Sequence, residues 1–313
     1  MASDATTADT VSPPRALFDT RQALLLAALT ITWGLNWPVM KAGIGDFPPL
    51  SFRTLSMWLG TPLLWLALRR RGVPLAIARR DWPALAGLTL TNMLFWHVVA
   101  INALAVLSSG RAAILGYTMP IFAAVWGVVR YGDRLQTRHA AGVAAAAIGV
   151  ALLLWHEFAR IAGRPIGAIG MLVAAAVWAI GTQQLRRSRL NAPILAVVFW
   201  MTCLTTLAMT LLACLFEQPR WHAPGTVTWL AAIYNAVLIF AFANPLWLVM
   251  ARRLPPMASS LSIMLIPVLG TVSGAWWLGE RLHWQDGAAI ALMMVAIGSV
   301  LWPSKAAATR QRA

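Results

Sequence analysis

Apolar residues in this chain come in long runs, and polar residues come in short clusters between them. Ten runs, roughly 23–44, 50–68, 84–104, 110–129, 139–155, 167–184, 193–215, 229–250, 258–278 and 286–302, are bounded by charge or by Pro and Gly. Each is close to the ~20 residues that a helix needs to cross a bilayer core. The pattern predicts an all-α membrane protein with ten transmembrane helices. Nine is the alternative count, because Ala-rich stretches such as Ala144–Ala147 leave the ends of the fifth and sixth runs unclear. The first run is too long for the apolar region of a signal peptide and follows a polar segment of mixed charge. It is therefore expected to remain as helix 1.

Composition strengthens this reading. Hydrophobic residues make up 59% of the 313 positions, charged residues 11%, and mean hydropathy is +0.69. An average soluble chain carries about 25% charged residues, and it could not cover so much apolar surface. A soluble enzyme, a disordered tail and a disulfide-rich secreted module are excluded. The net charge of +15 suggests nucleic acid until the basic residues are placed. With ten spans both termini share a side. Arg15, Arg21, Arg69, Arg70, Arg71, Arg79, Arg80, Arg130, Arg134, Arg138, Arg186, Arg187, Arg189, Arg252, Arg253, Lys305, Arg310 and Arg312 then lie on that side, eighteen of 25. Positive charge marks cytoplasmic loops, so both termini are expected in the cytoplasm of a cell (inner) membrane. Topology and anionic lipid account for the basicity, and no nucleic-acid partner is expected. Trp82, Trp155, Trp221, Trp229, Trp284 and Trp302 lie near predicted helix ends, where indoles anchor at the headgroup level. Cys203 and Cys214 share one run. Eleven helical residues separate them by about 16 Å, too far for a disulfide.

The two halves resemble each other. Pro120 precedes Gly132-Asp133-Arg134-Leu135 as Pro267 precedes Gly279-Glu280-Arg281-Leu282, at a constant offset of 147 residues. Trp33 and Lys41 are echoed by Trp178 and Arg186, and Ile148-Gly149 by Ile297-Gly298. Five spans per unit is odd, so the second unit enters the bilayer upside down, giving an inverted repeat suited to alternating access. The expected units are a cytoplasmic tail (1–22), a first repeat (23–156), a second repeat (165–302) and a C-terminal cytoplasmic tail (303–313).

The stretch Trp33-Gly34-Leu35-Asn36-Trp37-Pro38-Val39-Met40-Lys41 resembles the first-helix signature of EamA-type transporters of the drug/metabolite transporter superfamily. The mid-helix proline before a Gly-acid pair, present twice, resembles the same family. Asp133 departs from the more usual Glu while keeping the charge. The resemblance covers about residues 23–302. It implies a ten-helix carrier whose central cavity is lined mainly by helices 1, 3, 4, 6, 8 and 9, and an exporter of amino acids or related metabolites.

Polar groups at membrane depth are costly and should face the protein interior or water. Lys41 has two readings, a cation for a substrate carboxylate or a snorkelling helix-end residue. Asn36, with Trp33 and Trp37, lies beside Pro38, which removes a helical hydrogen bond. His97 and Asn102 fall in the third run. His97 is the one candidate proton switch, against the plainer role of a hydrogen-bonded packing residue. Tyr117, Trp178, Gln183, Tyr234, Asn235 and Asn244 complete the candidate substrate-binding set: amides and hydroxyls for a zwitterion, aromatic faces for an apolar or cationic part. Pro38, Pro120 and Pro267 are candidate hinges, with a static packing bend as the alternative. The small residues Ala123, Gly127, Gly270 and Gly274 permit close helix approach. Asp133 and Glu280 read as cap or gate charges.

No predicted span carries a deep Asp or Glu, so facilitative or weakly coupled transport is favoured over a proton-coupled exporter of drugs or other metabolites. No zinc pattern, nucleophile elbow or Walker A loop is present. Neither an enzyme nor a metal nor a cofactor is therefore expected. A channel or scaffold is the other class. A single chain supplies both repeats, so a monomer suffices, with a small-molecule substrate and membrane lipid as partners.

Overall fold

The computed structural model describes residues 20–133, 137–159, 165–188, 190–246 and 256–301, apart from the side chains of 138–139, 156–159, 256–263 and 300–301. Residues 1–19, the C-terminal tail, Arg134, Arg189, Arg252, Arg253 and Trp302 lie outside the described residues.

The described residues form ten helical segments and no strand. They are α1 (Thr20–Gly43), α2 (Pro49–Arg70), α3 (Arg79–Val106), α4 (Ser109–Tyr131) and α5 (Thr137–Ala159). Then follow α6 (Pro165–Arg187), α7 (Ile194–Phe216), α8 (Thr226–Leu246), α9 (Pro256–Leu278) and α10 (Trp284–Leu301). Among the described residues six of them, α1, α3, α4, α6, α7 and α8, are long and apolar enough to cross a membrane. Shorter apolar stretches lie in α5 (Ala140–Trp155) and α9 (Met264–Leu278). α2 carries Arg53 in its second turn, and α10 carries Asp286 in its first.

The outside of the bundle is apolar. Leu24, Val129, Ile166, Leu211 and Val295 are all more than half exposed, an arrangement that suits a lipid solvent and not water. Trp155, Trp221, Trp229 and Trp284 are exposed, with Trp221 donating its Nε1–H to Ser51 Oγ (2.7 Å). Trp82 turns inward instead, its ring 5.1 Å from that of Trp200.

With no hydrophobic drive between helices in lipid, close packing of small residues holds them together. Gly142 of α5 lies against Ser299 and Ala296 of α10, and Gly149 against Leu292 and Ala289. These two pairs run in opposite senses along the chain, so α5 and α10 are antiparallel. A Cβ on Gly181 would sit 2.7 Å from the backbone nitrogen of Asn92, so α6 meets α3 backbone to backbone.

The bundle has two distinct ends. Glu280, just past α9, accepts hydrogen bonds from the first turn of α4, whereas Asp133 lies just past the end of α4. α4 spans 23 residues, about 34 Å at 1.5 Å per residue, so the two acids stand at opposite ends. Their local geometry is the same. Gly132 and Gly279, at φ 69° and 65°, take the left-handed conformation that closes a helix. Asp133 N–H then donates to Gly127 O (3.2 Å) and Glu280 N–H to Gly274 O (3.4 Å).

Two helices widen into π turns, at Thr89–Leu94 in α3 and Asn235–Ala243 in α8. Shifting the first by the 147-residue repeat offset lands it within the second. A π turn carries an extra residue and often marks a functional position.

Candidate functional site

Near the middle of the bundle four rings meet. Trp37 of α1 lies edge-on to Tyr117 of α4, with centroids 6.5 Å apart. Trp96 of α3 lies 6.4 Å from Trp178 of α6. Gly116 joins the two pairs, since a Cβ there would fall 3.0 Å from Trp37 and 3.2 Å from Trp96. Tyr117 reaches this place because α4 breaks there. Ser109–Gly116 ends at a turn of Tyr117 and Thr118, and the helix restarts at Met119 with Pro120 in its first turn. Trp33 is half-buried and packs against the core. The sequence-predicted aromatics Trp37, Tyr117 and Trp178 are thus brought together, joined by Trp96, which the sequence had not singled out.

The polar candidates divide. Asn36 is buried, and its Oδ1 has no hydrogen-bond partner among the described residues, an unusual state for a buried amide. His97 likewise has an unpartnered, buried Nδ1, and its ring lies 6.1 Å from Phe240 of α8. Asn235 is fully buried and donates to Ala231 O (3.0 Å), while Tyr234 Oη donates to Thr32 O of α1 (2.7 Å). Asn102 stands apart. It is exposed, donates to Val98 O (2.8 Å), and faces an apolar groove between α3 and α6 on the outer surface. Asn244 is half-buried at the far end of the second π turn.

Lys41 is occupied as a cap. Its Nζ donates to Leu104 O (2.8 Å) and Ala105 O (2.9 Å), closing the C-terminal end of α3, where the helix dipole favours a cation. Pro38 and Pro267 sit inside continuous helices, so of the three prolines only Pro120 adjoins a break.

The end carrying Glu280 is latched twice. Glu280 accepts from Ser109 N–H (2.7 Å), Ser109 Oγ (2.8 Å) and Gly110 N–H (3.4 Å) at the start of α4. Glu217, past α7, accepts from Leu50 N–H (3.0 Å), Ser51 N–H (2.7 Å) and Ser51 Oγ (2.7 Å) at the start of α2. In both, a carboxylate of the second repeat meets the positive end of a helix in the first. Arg111 and Asp286 add an ion pair of 2.8 Å, with side chains only 7% and 5% exposed. At the other end Asp133 pairs with Arg187 (3.1 Å), whose guanidinium lies over the Tyr131 ring. Gln183 donates to Ala123 O (2.9 Å) and accepts from Arg187. Gln183 therefore belongs to that end and not to the aromatic centre. Among the described residues no group of three metal-ligating side chains occurs.

Sequence reading missed Arg53. It is 5% exposed, and its Nη1 donates to Asn235 Oδ1 (3.1 Å) and its Nη2 to Met40 Sδ (2.6 Å). Its place three residues into the second apolar run made it look like a flanking charge.

The EamA-like transporter family matches the chain twice, over residues 20–155 and again over 165–302. The chain belongs to this family. It is accordingly a multi-pass membrane transporter and not an enzyme. The uncharacterized transporter YoaV of Bacillus subtilis is 24% identical over 262 residues, covering 83% of this chain and 88% of its own. The aromatic amino acid exporter YddG of Ancylobacter novellus is 26% identical over 283 residues, 87% of this chain and 97% of its own. A solved crystal structure, 22% identical, superposes with a TM-score of 0.66 over 89% of this chain and 95% of that one, which shows a shared fold.

Proposed function

We propose that this EamA-family chain exports amino acids or related small metabolites across the inner membrane by alternating access. In this reading ten helices cross the membrane as two inverted units, both termini are cytoplasmic, and transport is facilitative or weakly coupled. The observation that carries it is the unequal treatment of two equivalent acids. Glu280 caps the start of α4 and ties the repeats together at its end. Asp133, in the same turn geometry, leaves its side chain 51% exposed beside Arg187. Among the described residues one end is fastened by buried carboxylate latches and the other by an exposed ion pair, which is how a symmetric carrier looks when open to one side. Asn36, Trp37, Tyr117 and Trp178 line the way between the ends. The amino-acid class rests on the Ancylobacter relative being an aromatic amino acid exporter and on this mixture of amide and aromatic groups.

Purified protein in liposomes tests the reading. Saturable counterflow of L-phenylalanine or L-leucine is expected, weakened in Asn36→Ala, with no accumulation driven by a pH gradient. Flux that fails to saturate would indicate a channel and overturn it.

A further inference from the structure

Among the described residues, several cations drawn into the bundle are matched by acceptors of full or partial negative charge. Arg111 has Asp286, Arg187 has Asp133, and Lys41 has two carbonyls at a helix C-terminus. Arg53 is as buried as any of them, yet the described residues give it only a side-chain amide and a thioether. A guanidinium has five N–H donors in a planar fork and pairs best with a carboxylate on two parallel bonds. Here Nη1 is fixed by Asn235, which orients the fork. The side-on edge, Nε with Nη2, is underused: Nε has no partner among the described residues, and Nη2 meets the Met40 sulfur, a weak acceptor. A flexible methionine is easily displaced. An unpaired buried charge is expensive, so an edge left in this state is fitted to an incoming anion.

The surroundings match a solute and not a resident ion. Arg53 lies one turn inside the α2 start that Glu217 latches, so release of that latch opens a route to it. Asn36, whose Oδ1 has no hydrogen-bond partner among the described residues, lies one turn before Met40 on α1, and the His97 ring on α3 lies 6.1 Å from that of Phe240 on α8, the helix that carries Asn235. The Oδ1 acceptor suits an ammonium group.

Building on the proposed export of amino acids, we propose that Arg53 is the receptor for the carboxylate of the transported solute, gripping it through Nε and Nη2 in a pocket shared with Asn36, Met40, His97 and Asn235.

Counterflow in liposomes with L-phenylalanine and L-leucine, each beside its methyl ester, tests this. Arg53→Gln should cut flux of the free acids about tenfold or more, as expected for loss of a charge-assisted bond, while leaving the esters nearly unchanged. Arg53→Lys, which keeps the charge without the fork, should fall between. Equal losses for acid and ester, or no loss for either, would overturn the assignment and leave Arg53 as a tie between α2 and α8. If the wild-type protein moves neither amino acid, the export reading fails, and melting of the solubilised protein decides the site alone. Phenylacetate should then raise the melting temperature of the wild type more than phenylacetamide does, and this difference should vanish in Arg53→Gln. The same shift from both compounds, or none, would overturn the proposal.

Discussion

Asp286 carries an unusual share of the order at its end of the bundle. One carboxylate oxygen takes Arg111 Nε at 2.8 Å and the other takes the N–H of His283 at 2.8 Å, which closes the first turn of α10. Removing one member of a buried pair strands the other charge and costs about 3–5 kcal/mol, whereas replacing both with apolar side chains is often neutral. Asp286→Ala should therefore lower the melting temperature strongly in detergent. The double variant Arg111→Met with Asp286→Leu should recover most of that loss, and simple addition of the single effects would refute a coupled pair. At this scale the sequence was legible where side-chain type and depth agreed. Asn36, Trp37, Tyr117 and Asn235 were visible because polar or ring-bearing residues in mid-run have few reasons to be there. Arg53 and Glu217 were hidden by position, since a charge within a turn of a run's edge reads as ordinary flanking polarity. Lys41 was ambiguous for the same reason, and only the structure reveals the two carbonyls it caps.

Helices fared better than the breaks within them. The run 193–215 became Ile194–Phe216 and the run 50–68 became Pro49–Arg70, because twenty consecutive apolar residues have few alternatives to a helix in lipid. The π turns in α3 and α8 left no trace in composition, as one inserted residue alters neither hydropathy nor charge. Proline gave a partial signal. At Pro38 and Pro267 the helix passes through intact, while ahead of Pro120 it stops at Gly116 and begins again at Met119. Thr118 assists the stop by donating its hydroxyl to Leu115 O at 2.6 Å. Pro120→Ala would supply an N–H able to donate to Gly116 O and heal the helix. The gain expected is about one hydrogen bond, of order 1 kcal/mol, seen as a higher melting temperature. Counterflow should slow if the break is used during transport. A more stable variant with unchanged flux would make the break a static feature that merely places Tyr117 among the tryptophans.

At the scale of the whole molecule, the two ends carry the same turn, and the proposed inverted topology requires them to face opposite sides of the membrane. The glycine-acid turns at 132–133 and 279–280 have matching backbone geometry yet stand at the two extremes of α4. If α4 crosses the bilayer, those turns face different compartments, and the arginines clustered after α2, α4 and α6 belong to the Asp133 side. Arg71, exposed at the C-terminal end of α2, and Leu282, 54% exposed after α9, report on the two sides without touching either latch. The native thiols Cys203 and Cys214 are free and replaceable by Ala. In intact cells a membrane-impermeant maleimide should label Leu282→Cys, and Arg71→Cys only after permeabilisation, because a basic cluster is retained in the cytoplasm. The reverse pattern would turn the molecule over while keeping its inverted halves. Equal labelling of both positions in intact cells would put the two turns on one side, and an inverted pair of five-helix units could not survive that result.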